Sequence, residues 1–323
     1  MKILAERVHI QWVLGLAGVL VLLGGAIVVV SFWVSSDWYM AGNHSVDAAK
    51  AERAREHGVR LAPVEPSQIS KNFRGSAVHA PVAPLPAGGL PVAILMYHHV
   101  GSLPFGADAL RRDLTVSVQD FEKQVAWLLQ QGYVSVTLAD VYRAVQRELV
   151  LPAKSVVFTF DDGYADVFQE ALPILIKYNM RGSFAVVPDF LDQPDYATWD
   201  MVVSAKQAGM EIVSHTDNHF DGSNPKFDRE YIRENLIQSL QALEHRLGPV
   251  PRVLVYPYGH FTPEYVQVAR EVGFVMALTT RYGRSVDPSD LMRTPRVRVH
   301  GAGTMEKFAE AVTGVRHDSL KIE

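Results

Sequence analysis

Hydrophobic and polar positions divide the chain into three stretches. Residues 12–34 form a run of 23 positions without a charge, dominated by Val, Leu, Ala and Gly. Residues 35–90 show no sustained periodicity. From residue 91 onward, short apolar runs alternate with stretches in which apolar residues recur at helical spacing. Runs at 91–97, 155–160, 182–187, 211–214, 252–256, 275–279 and 296–299 read as strands. Between them lie amphipathic helices. Ser117 is an N-cap with Asp120 at the third helical position, and Phe121, Val125, Leu128 and Leu129 form the buried stripe, ending near Gly132. Further helices are predicted at 137–147, 167–178, 198–207, 263–271 and 304–311, with Pro173 kinking or dividing the second of these. Ile232, Leu236, Leu240, Leu243 and Leu247 mark a long helix that stops before Gly248-Pro249. Strand–helix alternation implies a parallel sheet with helices outside it. The predicted fold class is α/β: a distorted (β/α) barrel of about seven parallel strands, preceded by one N-terminal transmembrane helix.

The run at 12–34 is long enough to cross a bilayer core, which needs about 20 apolar residues in a helix. Lys2 and Arg7 precede it, offset by Glu6, and Asp37 follows. This bias puts residues 1–11 in the cytoplasm and the remainder across the membrane. The expected location is the inner (plasma) membrane, single-pass, with the main domain in the periplasm or outside the cell. Ala41 and the stretch 46–49 leave cleavage of the anchor open. Residues 47–56 suit one short helix. Pro63, Pro66, Pro81, Pro84 and Pro86 then make residues 35–90 a semi-rigid tether. The expected catalytic domain runs over 91–315, with a short tail at 316–323.

Composition narrows the chemistry. The net charge of −4 and pI near 6.3 give no basic footprint for nucleic acid. There is no cysteine, which excludes disulfides, thiolate zinc sites and a cysteine nucleophile. The 12 histidines are therefore the main supply of softer ligands.

In parallel α/β architectures, polar residues at the C-terminal ends of strands converge on one face. Four strands here end in such residues: His98-His99, Asp161-Asp162-Gly163, His215-Thr-Asp-Asn-His219 and Tyr256-Pro-Tyr-Gly259. Asp-Asp-Gly is also an ordinary turn, and a His pair at this spacing is common by chance. A turn does not, however, account for four such ends together. Adjacent residues on a strand face opposite ways, so Asp161 and Asp162 are expected to differ in duty, one holding a metal and the other handling a proton. If 215–219 is helical, its two imidazoles share a face. Two imidazoles and a carboxylate leave open positions for water and substrate. Such a site activates water and polarises a carbonyl, while a carboxylate and a histidine move protons. Backbone N–H groups after Tyr256-Pro257 are candidates for holding an oxyanion.

Thr159-Phe-Asp-Asp-Gly163 with His215-Thr-Asp-Asn-His219, and more weakly Tyr256-Pro-Tyr-Gly259, resembles the polysaccharide deacetylase family, carbohydrate esterase family 4, over about residues 91–315. The resemblance implies Asp161 as catalytic base and Asp162, His215 and His219 as metal ligands. It implies that the Tyr258 backbone N–H lines the oxyanion hole. The implied cofactor is a divalent metal ion, zinc first, with cobalt, nickel or iron as alternatives. The implied reaction is removal of N- or O-acetyl groups from a polysaccharide. Two departures stand out. The C-terminal Leu-x-His motif that carries the family's catalytic acid has no clear copy. Met96-Tyr97-His98 instead resembles the permuted type acting on poly-β-1,6-N-acetylglucosamine, which makes His98 the candidate acid and His300 its rival. The family's Arg before Pro-Tyr-Gly is replaced by Val255, and Arg296 is the candidate to orient Asp161 in its stead.

These readings favour an acetylated polysaccharide as substrate, the membrane as partner through the N-terminal segment, and no nucleic acid. Peptidoglycan or a chitin-like glycan is the alternative substrate, and an inactive carbohydrate-binding or scaffolding protein the alternative class. A two-carboxylate glycosidase would leave the histidine pair unexplained.

Overall fold

Seven parallel strands close on themselves in chain order: β1 (Ala93–Tyr97), β2 (Ser155–Phe160), β3 (Gly182–Val186), β4 (Glu211–Ser214), β5 (Val253–Val255), β6 (Met276–Tyr282) and β7 (Thr294–Arg298). Closure is made by β1, which pairs with β2 from Ala93↔Val156 to Tyr97↔Phe160 and with β7 at Leu95↔Val297. The seven-stranded parallel barrel expected from the sequence is present. Its distortion is visible where the β6–β7 register shifts between Leu278 and Tyr282, and where a two-residue strand, Val134–Ser135, pairs with the start of β2. This is a computed structural model, and it describes residue 86, residues 88–316 and the strand pair Val19–Leu23 and Ala26–Val30.

The helices around the barrel are α1 (Val118–Gln130), α2 (Leu138–Val145), α3 (Leu172–Lys177), α4 (Trp199–Gln207), α5 (Arg229–Leu247), α6 (Pro263–Val272) and α7 (Met305–Thr313). Their starts follow the polar residues read from the sequence. Ser117 accepts the N–H of Asp120, and Thr137 and Asp140 form a reciprocal capping box. Pro173 divides its helix as expected. A π-turn over Val167–Ala171 precedes α3, with the N–H of Leu172 reaching back to the carbonyl of Val167.

Alternation along the strands builds two cores. Leu95, Phe158, Phe184, Ile212, Leu254, Ala277 and Val297 face outward, into one cluster with the surrounding helices. Ile94, Val157, Ala185, Val213, Val255 and Leu278 belong to a second cluster, which fills the lumen. The same cluster contains Leu138, Val141 and Val145, so α2 plugs the bottom of the barrel. Each fully buried aliphatic side chain contributes about 1.5–3 kcal/mol. The plug is also fastened by a buried carboxylate. Glu211 accepts the N–H groups of Leu138 and Ala139, each at 2.9 Å, and the hydroxyl of Ser183 at 2.6 Å. These satisfy two orphan donors at the start of α2, although burial still pushes the Glu211 pKa up. At β7 the residue alternating with outward Val297 is Arg296, 1% exposed. It places a cation inside the barrel, beneath the catalytic face.

The chain divides into two compact units, Met1–Pro63 and Val64–Glu323. The helix expected at 12–34 is corrected where that segment is described: Val19–Leu23 and Ala26–Val30 are strands, paired antiparallel from Val19↔Val30 to Leu23↔Ala26. The segment is rich in β-branched Val and Ile, which favour strands, and the sequence between the strands is Gly24-Gly25, suited to a two-residue hairpin connection. The remainder of 12–34 and the short helix expected at 47–56 lie outside the described residues. Among the described residues, no helix is long and apolar enough to cross a membrane.

Candidate metal and catalytic site

The site begins one residue past β2. The Asp161 N–H donates to the carbonyl of Tyr97 at 3.0 Å, continuing the β1–β2 ladder beyond the strand. Its carboxylate is 3% exposed and meets the guanidinium of Arg296 in a fork, Nη1 to Oδ1 and Nη2 to Oδ2, both at 2.7 Å. Arg296 is fully engaged, since Nε donates to the carbonyl of Thr279 and Nη1 also to the hydroxyl of Thr159, each at 3.0 Å. Bidentate pairing of this kind fixes orientation as well as charge. Burial pushes the Asp161 pKa up, but the charge and bonds of Arg296 outweigh it and hold the carboxyl below its ordinary value. Arg296 thus stands where the sequence comparison of motifs left a gap at Val255.

Asp162 leaves the strand direction altogether. Its φ is 71°, a left-handed conformation that non-glycine residues adopt at a cost. The division between the two acids is therefore made by a turn past the strand end. The alternation of a pleat, expected from the sequence, does not apply because β2 stops at Phe160. Gly163 continues the turn at φ 79°, where an added Cβ would lie 3.4 Å from that of Val186.

Asp162 Oδ1 faces two imidazoles, at 2.9 Å from His215 Nε2 and 3.2 Å from His219 Nε2. One ligand atom from each of the three residues lies within 4.8 Å of the others. The expected helix at 215–219 is not formed. The segment is a loop with left-handed residues at Thr216 (φ 66°) and His219 (φ 58°), and the hydroxyl of Thr216 accepts the N–H of His219 at 3.0 Å. Two left-handed residues curl the loop tightly enough to bring the imidazole centroids to 4.8 Å.

The donor chemistry fits a cation. His215 Nδ1 lies 2.7 Å from the carbonyl of Val255, an acceptor only, so Nδ1 carries a proton and donates. This leaves Nε2 facing a carboxylate oxygen, a contact that is favourable only with a proton or a metal ion between them. Fixing one ring nitrogen on a carbonyl is also how ligating histidines are oriented. Burial lowers the His215 pKa, but the bond and charge of Asp162 raise it overall. Asp162 is pushed up by burial and pulled down further by its two histidines, to well below its ordinary value. Both groups therefore favour their charged forms.

His98 lies beside this set, its Nε2 4.0 Å from Asp161 Oδ2. Burial lowers its pKa, and the charges of Asp161 and Asp162 only partly oppose this. His300 is elsewhere. Its Nδ1 bonds Asp113 at 2.7 Å, and its side chain is 58% exposed. His99, adjacent to His98 at the same strand end, is buried with both nitrogens committed, to Asp166 at 2.8 Å and to Arg111 at 2.6 Å. It belongs to the wall of the site.

Tyr258 occupies a left-handed turn (φ 59°), closed by bonds from Gly259 N–H to Tyr256 and from His260 N–H to Pro257. Gly259 is required here, because a Cβ would come within 2.7 Å of the Thr280 backbone nitrogen at φ 73°. The Tyr258 ring is 57% exposed and packs edge-on against His219 at 4.8 Å. Aromatic contacts continue from His219 to Phe190 (5.9 Å), Tyr196 (4.8 Å) and Tyr164 (5.1 Å). Sequence reasoning missed this rim. Tyr164 directly follows Gly163 and was open to notice, but Phe190 and Tyr196 lie in a loop without periodicity.

Comparison with known proteins places the chain beside deacetylases. Residues 149–277 match the family model for polysaccharide deacetylase. The match takes in Asp161, Asp162, His215, His219 and Tyr258, and leaves His98 and Arg296 outside it. The YxkH protein of Bacillus subtilis (strain 168) is 27% identical over 64% of this chain and 70% of its own length. The poly-beta-1,6-N-acetyl-D-glucosamine N-deacetylase of Escherichia coli (strain K12) is 26% identical over 65% of this chain, which spans only 37% of that protein. The solved structure of IcaB from Ammonifex degensii superposes with a TM-score of 0.61 at 25% identity, covering 72% of this chain and 100% of that one. With the barrel fold shared with these matches, residues 149–277 are identified as part of a polysaccharide deacetylase domain, a hydrolase.

Proposed function

We propose that the protein hydrolyses N-acetyl groups on a polysaccharide like poly-β-1,6-N-acetylglucosamine, releasing acetate and a free amine, with a divalent metal held by Asp162, His215 and His219. The observation that carries this reading is the pairing of a buried, Arg296-bound carboxylate with a converging Asp-His-His set beside it. A bound metal would supply acidification of water and polarisation of the acetyl carbonyl. Asp161, kept ionised by Arg296, accepts the proton of the attacking water. Its lowered pKa keeps it ionised near neutral pH, though with less driving force than a carboxylate tuned upward. His98, facing the acids, delivers a proton to the leaving nitrogen. The Tyr258 turn lends backbone N–H groups to the oxyanion, and its exposed ring suits contact with a sugar face.

Acetate release from a panel of N-acetylated glycans tests both activity and substrate. Full-length protein is expected to be active on the β-1,6-linked polymer, to lose activity with chelator, and to regain it when zinc is restored. His215→Ala is expected to lose bound metal as measured by elemental analysis. Undiminished acetate release after chelation would sink the metal-dependent reading, and preference for peptidoglycan or chitin oligomers would redirect the substrate.

We further propose that the protein is attached to the inner membrane by residues 12–34, with the barrel on the outer side. The absence of any charged residue from that run supports this. Cell fractionation is expected to leave the protein in membranes after a high-salt wash, digestible by protease added from outside the cytoplasm. Recovery in the soluble fraction would overturn it.

A further inference from the structure

A pocket apart from the acid pair and the histidine loop lies between α1, α7 and the residues that follow β7. Its volume is about 260 Å³, and its floor is apolar, formed by Val299, Phe308 and Ala311. At about 30 Å³ per water-sized group, it holds on the order of eight or nine heavy atoms. Gln124, Arg298 and Lys307 offer donors in its polar lining, beside His300 and Thr304. Gln124 is 2% exposed, and its side-chain carbonyl is occupied by the hydroxyl of Tyr97 at 2.7 Å. Gln124 lines the pocket, and among the described residues its amide nitrogen makes no hydrogen bond. Arg298 donates through Nη2 to Asp113 at 2.6 Å, yet its Nε is buried without a partner. Buried donors are rarely left unsatisfied, because each costs about 1–3 kcal/mol. At the mouth stands Lys307, exposed and without a carboxylate partner among the described residues.

The buried, unpartnered Nε of Arg298, the amide group of Gln124 and the Lys307 cation call for an acceptor that carries negative charge. The apolar floor calls for an alkyl stem. We propose that this pocket binds an aliphatic carboxylate of about six or seven carbons, its head group on Gln124 and Arg298 Nε and its chain against Phe308. The site is distinct from the acid pair and the histidine loop, and its occupation does not depend on whether the chain is a deacetylase.

Isothermal titration calorimetry of the protein with heptanoate, heptan-1-ol and heptylamine tests this. Heptanoate is expected to bind one-to-one with Kd of about 1 mM or below. Heptan-1-ol is expected to bind at least roughly tenfold more weakly, since it forfeits the charge-assisted bonds, and heptylamine not at all. Ala311→Trp fills the floor and is expected to abolish heptanoate binding with acetate release unchanged. Arg298→Met is expected to weaken binding by roughly tenfold or more, and serves as the second variant should the first fold poorly. Equal binding of alcohol and carboxylate, heptanoate binding unmoved by either substitution, or no saturable heat would each overturn the proposal.

Discussion

Asp161→Asn is expected to lower acetate release by about 10²–10⁴-fold while leaving the metal content unchanged. The substitution keeps the shape of the side chain and one acceptor for Arg296, but removes the base. The metal set is untouched, because Asp162, His215 and His219 converge on one another without Asp161. Elemental analysis alongside steady-state rates therefore separates two roles for adjacent acids. Asp162→Asn is the informative contrast, since it deletes the charge that faces both imidazoles. If Asp161→Asn retains activity within about tenfold, another group takes the proton. If it loses metal as well as activity, the assignment of the two acids is reversed.

Arg296→Met is expected to destabilise the protein by about 3–5 kcal/mol, because it leaves the Asp161 carboxylate buried and uncompensated. Both side chains of this pair are essentially shielded from water, at 0% and 3% exposure, so solvent screening does not soften the loss. The sign of the pH effect follows from the folded pKa. In the parent, burial raises the Asp161 pKa and Arg296 more than reverses this, giving a value below the ordinary 3.8. The stabilisation is therefore fully present above the unfolded value and lost as pH falls through the folded one. Without Arg296, burial acts unopposed and the folded pKa rises. Asp161 then costs stability at neutral pH, and part of that cost is relieved on acidification. The acid limb of kcat/KM is expected to move to higher pH in Arg296→Met, and thermal unfolding in urea to show the stability loss. Arg296→Lys is expected to recover little, since an ammonium cannot reproduce the two-bond fork or reach Thr159 and Thr279 together. An acid limb that stays in place in both variants would show that Arg296 supports the fold and not the protonation of Asp161.

Much of the barrel was legible because its determinants are local. Ser117 with Asp120, and Thr137 with Asp140, signal helix starts through bonds three residues long. Glu211–Ser214 was bounded correctly because its apolar residues end at a polar cluster and begin after Gly209. The ligand types were legible too, although two reasons given for them were not the operative ones. Asp161 and Asp162 differ through a left-handed residue, and His215 and His219 meet through a curled loop. Positive φ at Asp162, Thr216 and His219 has no sequence signal, since none is glycine. Such conformations are held by the surrounding packing. At residues 19–30, apolar length pointed to a spanning helix while β-branched composition pointed to strands, and length alone does not separate the two.

The sequence by itself determined the alternation that sends Leu95 and Phe158 outward and Ile94 and Val157 into the lumen. It also determined which strand ends carry carboxylates and imidazoles. These are properties of neighbours in the chain, expressed with periods of 2 and 3.6. Only the tertiary structure decided which acid meets Arg296, which lies 135 residues away, and that His98 faces that acid while His300 pairs with Asp113. It alone assembled the aromatic rim and left Arg298 Nε buried without a partner at a pocket that Gln124 also lines. The acid pair Asp161-Asp162 shows the division most clearly. Local composition put both carboxylates at one strand end, but closing the barrel brought a buried cation to the first and two imidazoles to the second, and charge in a low-dielectric interior takes its character from the partners it meets.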